Sequence, residues 1–223
     1  MRRVSFLIMA SRTFARFRAS LAAGALVVLA GCASRGAAPR QFAPAGPEQT
    51  LRAASAWREA VARSETLGPA RLLYDSKVRQ GIGSLSGTLA VSTDPVGATL
   101  TGAFGTTLAT YANGALRGEK ILPVAIDPEP LLWMLAGVWK SGPPEVRGFQ
   151  GEDALLGWDG DVRARAVLNV PAARFTSLTV ERGGKTLEAT YAGTCDPWPS
   201  RLEIRDMSSG SSLRLTLVGR EPR

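Results

Sequence analysis

The sequence has no histidine at all, only two cysteines in 223 residues, and few aromatic side chains, at 7%. Without histidine, Ser-His-Asp and Cys-His catalysis, His-ligated zinc or haem, and switching by an imidazole proton are excluded. Two cysteines, Cys32 and Cys195, cannot form a cysteine cluster for a metal. A phosphate-cradling glycine motif and a nucleophile elbow are also missing. No metal and no cofactor is expected. Composition leaves carboxylate-pair chemistry open, but the close acidic groupings are only Glu152-Asp153 and Asp159 to Asp161, and the second reads as a turn. The chain is therefore read as a non-enzyme.

What is present begins with charge. The first twenty residues hold Arg2, Arg3, Arg12, Arg16 and Arg18 and no acid, and the apolar run Leu21 to Ala30 follows. That is the n-region and h-region of a secretory signal. At helical rise the run spans about half a bilayer core, too short for a membrane-crossing helix. It ends in Leu29-Ala30-Gly31-Cys32, which resembles the bacterial lipobox. Residues 1–31 are expected to be a cleaved signal peptide, with Cys32 the lipid attachment site. Losing the five arginines lowers the basic count from 27 to 22 against 19 acids, a net of +3 in place of +8. No Lys/Arg stripe interleaved with aromatics is left, so nucleic acid is not an expected partner. Once Cys32 is acylated, Cys195 has no disulfide partner, and its turn-rich surroundings, Gly193 to Pro199, offer no base to activate it. No role is assigned to it.

Residues 32–47 are rich in Ala, Gly and Pro and read as a flexible tether. Residues 48–223 read as one domain. Leu51, Ala54, Trp57 and Val61 recur at helical spacing and predict an amphipathic helix ending near Gly68-Pro69. From Arg71 the period is two: Leu85, Gly87, Leu89 and Val91 share a face, and Leu100, Gly102 and Phe104 repeat it. Asn113-Gly114 is a strong two-residue hairpin signal between Thr106 to Tyr111 and Ala115 to Leu122. Asp127-Pro128-Glu129-Pro130 opens a helix running through Leu131 to Trp139 that is hydrophobic on nearly every side and must be buried.

Beyond Ser141-Gly142-Pro143-Pro144 the strands resume. Val146 to Trp158 and Asp161 to Val170 are read as joined by an Asp159-Gly160 turn, with Val162, Ala164, Ala166 and Leu168 facing away from Arg163 and Arg165. Gly183-Gly184 connects Arg174 to Glu181 with Lys185 to Tyr191. Trp198 to Asp206 and Ser211 to Val218 finish the chain, the latter with Leu213, Leu215 and Leu217 alternating. The expected fold is mainly β: an open antiparallel β-barrel, a curled meander of about ten strands, with an N-terminal helix and an inserted central helix covering the concave face. Small residues on the apolar faces, Gly87, Gly102, Ala164, Ala166 and Ala189, leave such an interior underfilled if they point inward.

The element order, the segment Leu100-Thr101-Gly102-Ala103-Phe104-Gly105 and the tract Leu131 to Trp139 resemble the LolA/LolB-type lipoprotein carriers. The resemblance implies an open barrel closed by helices, an apolar cavity for acyl chains, and a helical lid at Leu131 to Trp139. It implies lipid or lipoprotein acyl chains as partners, a membrane reached through the Cys32 anchor, and transport or insertion as the task. The cavity and lid candidates are Trp133, Leu132, Met134, Trp139, Phe104, Phe149, Leu100, Leu89 and Trp57. Two departures stand out: no equivalent of the receptor branch's protruding loop with an exposed leucine is found, and Pro143 to Gly151 is unlike that family. Ala33 after the cysteine is not the Asp that retains lipoproteins in some inner membranes, so the expected place is the cell envelope, periplasm-facing, at the outer membrane. The alternative is a structural or assembly lipoprotein whose curved sheet binds a protein partner over a filled interior. A third reading, a carboxylate hydrolase, requires two acids converging in a cleft.

Overall fold

The period of two after Ala70 does produce strands, and the pairing between them departs from chain order at one place that shapes the whole sheet. A computed structural model describes residues 41–65, 70–93, 96–102, 106–112, 115–118, 128–193 and 198–222. Apart from Gln41 these lie in one unit, Phe42–Arg223. Its elements are helix α1 (Pro47–Glu65), strands β1 (Ala70–Gln80), β2 (Gly83–Thr93), β3 (Val96–Gly102), β4 (Thr107–Ala112) and β5 (Ala115–Gly118), and helix α2 (Pro128–Ala136). The second series is β6 (Glu145–Gln150), β7 (Asp153–Trp158), β8 (Arg163–Asn169), β9 (Arg174–Arg182), β10 (Lys185–Ala192), β11 (Arg201–Asp206) and β12 (Ser212–Pro222). The signal peptide, Cys32, residues 32–40 of the tether, Phe104, Asn113-Gly114, Asp127 and Cys195 lie outside the described residues.

The strand order is β5-β4-β3-β2-β1-β12-β11-β10-β9-β8-β7-β6, antiparallel throughout. The fold is thus the expected open antiparallel sheet with one N-terminal and one inserted helix. Twelve strands are described where about ten were expected, and they form two meanders rather than one. The first and last strands pair in the centre, Tyr74 with Leu217 and Val78 with Leu213. The free edges are β5 and β6, the two strands that flank the inserted helix, and no pairing between them closes a barrel. A short bridge between Ala43 and Phe149 covers part of the β6 edge, through Ala43 N donating to Phe149 O and Phe149 N to Ala43 O at 2.9 and 2.8 Å. Gly148 suits that approach, because a Cβ there would meet the Ala43 carbonyl at 2.6 Å.

Cross-strand neighbours carry one apolar face across the sheet. Val91 and Leu89 on β2 sit beside Leu72 and Tyr74 on β1, and Leu215 and Leu213 on β12 lie beside Leu202 and Ile204 on β11. The face continues through Ala189, Leu178, Ala166 and Leu156, all of them buried. The alternation predicted for β8 is observed: Ala164, Ala166 and Leu168 are buried, Arg163 and Arg165 exposed.

Three local expectations are corrected. Trp158 and Arg163 are separated by four residues and Gly160 has no left-handed backbone, so Asp159-Gly160 is not a two-residue turn. What was read as one strand, Val146 to Trp158, is a hairpin in which Gln150 pairs with Asp153. By contrast Gly183 and Gly184, at φ +55° and +75°, make the predicted two-residue turn joining Arg182 to Lys185, a left-handed pair that fits the sheet's twist.

The third correction concerns α1. Its buried face is Ala53, Ala56 and Ala60, with Trp57 half-buried, whereas Leu51, expected on the buried stripe, is 69% exposed. The helix lies over β6, β8 and β9, where the sheet presents Ala164 and Ala166. Small side chains on both surfaces allow close approach, which a leucine face would prevent. Gly87 likewise answers a close backbone approach, since a Cβ there would run into the Thr101 carbonyl.

Candidate functional site

Between the C-terminal ends of the two helices and one end of the sheet lies an apolar cavity of about 270 Å³. Four chain segments build it. α1 contributes Ala60 and Arg63, and the end of α2 contributes Ala136 to Val138. The β8–β9 turn and the start of β9 contribute Ala173, Arg174 and Phe175, and the far side is Tyr191, Ala192 and Pro199. Among the described residues no Asp or Glu lines it. A second recess of about 320 Å³, at the opposite ends of β8 and β9, is lined by charged groups including Asp161, Arg163, Glu181 and Lys185 and suits no apolar ligand.

The local chemistry explains why the cavity has a rigid frame. α2 ends in a Schellman motif: Val138 N donates to Trp133 O at 3.0 Å and Gly137 N to Met134 O at 3.1 Å, with Gly137 at φ +69°. The Tyr191 hydroxyl donates to Met134 O at 2.8 Å, and the Trp57 indole donates to Trp139 O at 3.1 Å. Burial pushes the Tyr191 phenol far above its ordinary pKa, so it stays a neutral donor. The Trp139 indole donates to Ser141 Oγ at 2.6 Å, and that of Trp158 to Gly142 O at 2.8 Å. The strand-side wall is equally fixed. Asn169 Oδ1 accepts from Ala172 N at 3.1 Å while its amide donates to Asp153 Oδ1 at 3.1 Å, and Arg63 Nη1 donates to Ala172 O at 3.1 Å. Within this turn Ala173 is held at φ +47°, the one left-handed non-glycine among the described residues, with its methyl buried in the wall. Such a conformation costs about 1–2 kcal/mol for a residue with a Cβ and persists because the surrounding bonds over-determine it.

The predicted cavity and lid residues are placed differently. Met134 and Trp139 are fully buried, Leu89 and Leu100 are buried opposite each other on β2 and β3, and Trp57, Leu132, Trp133 and Phe149 pack half-buried against the same core. Trp133 meets Trp139 edge to face at 5.3 Å between ring centroids. These eight residues thus come together, as one packed cluster, and none of them lines the cavity. The residues that do line it were not singled out from sequence. They are mostly alanines from distant segments, and only the punctuation after Trp133, namely Gly137 and the Trp139 to Pro143 stretch, marks that region as structurally special.

Among the described residues no helix is long and apolar enough to cross a membrane, and no three His, Cys, Asp or Glu gather as a metal site. No protein family and no curated protein matches the chain. Among solved structures, it is similar to a LolA superfamily protein from Nitrosomonas europaea, with 11% identity and a TM-score of 0.51 over 77% of this chain and 93% of that one. Weaker likenesses are an outer-membrane lipoprotein-sorting protein domain from Vibrio parahaemolyticus (12% identity, TM-score 0.42, 77% and 92% covered) and a DUF1329 family protein from Desulfovibrio piger (8%, 0.45, 78% and 92%). The chain has a LolA-like fold.

Proposed function

We propose that this is a lipid-anchored protein of the bacterial envelope, attached through Cys32, that binds an acyl chain without catalysis, in the service of lipid or lipoprotein transport or insertion. The observation that carries the reading is the apolar cavity of about 270 Å³ at the helix ends, lined by Ala60, Ala136, Val138, Phe175 and Pro199. Taking an acyl chain out of water is favourable by about 0.8 kcal/mol per methylene, so such a lining suffices to hold one. The LolA-like fold supports the reading, since proteins of that superfamily include lipoprotein carriers. The lipobox-like Leu29-Ala30-Gly31-Cys32 supports the anchor, and Ala33 supports an outer-membrane position.

The test is organic extraction and mass spectrometry of the full chain purified from membranes, beside a Cys32→Ala chain. The wild type should be membrane-bound and the variant soluble, and the soluble variant should carry co-purified apolar ligand at a stoichiometry near one. A membrane-bound Cys32→Ala chain would remove the anchor, and a ligand-free soluble chain would remove the carrier. One observation favours the alternative, an assembly lipoprotein whose sheet binds a protein partner: the concave face under the helices is filled, with Ala166, Ala189, Met134 and Trp139 all nearly or wholly inaccessible. On that reading the same extraction yields nothing.

A further inference from the structure

We infer that this cavity is a length gauge for one alkyl chain: it encloses a single tail of about ten carbons, and carbons beyond that stay in water. The inference rests on the proposed apolar function of the same cavity and adds the ligand's class, a single-chain amphiphile of medium length. Volume sets the number of carbons. An apolar cavity of about 150 Å³ takes the six carbons of benzene, so at the same space per carbon about 270 Å³ takes about eleven. Width sets the number of chains. A Cβ added to Gly137 would already touch the Tyr191 ring at 3.6 Å and Pro199 at 3.7 Å, so the helix cap and the far wall stand one carbon layer apart there.

The lining has an inner end and an outer end. Val138, Ala173 and Phe175 are buried, whereas Ala172, Ala192 and Gly193 are exposed. A tail therefore enters past the exposed side and stops against the buried one. That stop is fixed on both flanks. Val138 N is held in the helix cap by Trp133 O, and the α2 terminus is tied to the Tyr191 hydroxyl through Met134 O. The Phe175 ring packs on Trp158 at 6.3 Å between centroids, and the Trp158 indole is bonded to Gly142 O. Lengthening the cavity would break these bonds and open the packed core of Met134 and Trp139 beside it, a cost that one more enclosed methylene does not offset. Each enclosed methylene leaves water and one outside the mouth does not, so affinity should climb with chain length and then level off.

The experiment is titration calorimetry on the full Cys32→Ala chain with hexanoate, octanoate, decanoate, dodecanoate and tetradecanoate, each below its micelle threshold. Affinity should rise about fourfold per methylene up to decanoate and stay level from dodecanoate onward. Removing wall carbons with Val138→Ala or Phe175→Leu should move the break to longer chains, by about two carbons and about three carbons respectively. A cooperative melting transition shows that each variant is folded, and the parent series carries the test by itself if either is not. Affinity that keeps rising through tetradecanoate overturns the gauge and leaves the apolar cavity standing. A break that stays at the same length in both folded variants overturns its placement at Val138 and Phe175. Binding of none of the acids overturns the cavity's function itself.

Discussion

Alanine does opposite things in two regions of this molecule. Over the middle of the sheet, Ala53 and Ala56 of α1 are buried in the same core as Ala164 and Ala166 of β8, and their small size lets helix and sheet close up until no space remains. At the rim, Ala60, Ala136, Ala173 and Ala192 converge from four segments on a void of about 270 Å³. The difference is in the backbone beneath. In the middle, two regular surfaces approach along their length. At the rim, the Gly137 cap, the strained Ala173 turn and the Tyr191 tether hold the walls apart. A small side chain makes a cavity only where the backbone is prevented from collapsing onto it.

The comparison can be broken by making the same kind of change in both regions. The largest effect is expected at the packed centre: Trp139→Ala removes a 1% exposed side chain with its edge-to-face contact on Trp133 and should destabilise by about 3–5 kcal/mol in urea unfolding. Next come two substitutions two turns apart on α1. Ala53→Leu pushes into filled space and should cost about 1–3 kcal/mol. Ala60→Leu points into the cavity and should cost less than about 1 kcal/mol while abolishing acyl-chain binding. Equal stability losses at the two positions would erase the distinction between regions. Trp57→Phe keeps an aromatic side chain but loses the indole bond to Trp139 O and part of the ring's packing against the core, an expected loss of about 1 kcal/mol for the bond and more for the lost contact. The smallest change is expected from Ala173→Gly. Relief of about 1–2 kcal/mol of left-handed strain is offset by a lost methyl contact of about 0.8 kcal/mol and glycine's entropy of about 0.5–1 kcal/mol. The net should lie within about 1 kcal/mol, with weaker ligand selectivity as the turn loosens.

Much of the fold could be read along the chain because its signals are local. Gly183-Gly184 and the alternation of Val162 to Leu168 each act within a few residues and are found where expected, and the hydrophobic tract after Pro130 does form a helix, though it stops at Ala136 instead of running to Trp139 because Gly137 caps it in the left-handed conformation. The pairing of β1 with β12 is not of that kind: it joins residues about 140 positions apart, and no turn signal marks it. The buried face of α1 was misread because hydrophobicity favoured Leu51 and Val61, whereas packing against an alanine-bearing strand selected Ala53, Ala56 and Ala60. The cavity was the least legible. Its lining comes from four segments, its walls depend on an alanine at φ +47°, and alanine carries no signal of its own. The tryptophans and Met134, which do stand out in sequence, report the packed core beside it.

The most direct test of the account is a titration of a fluorescent fatty acid into three folded chains, the Cys32→Ala parent and the same chain carrying Ala53→Leu or Ala60→Leu. The account predicts saturable one-to-one binding by the parent, retained by Ala53→Leu and lost by Ala60→Leu. Absence of saturable binding by the parent, or binding that survives Ala60→Leu unchanged, would contradict it.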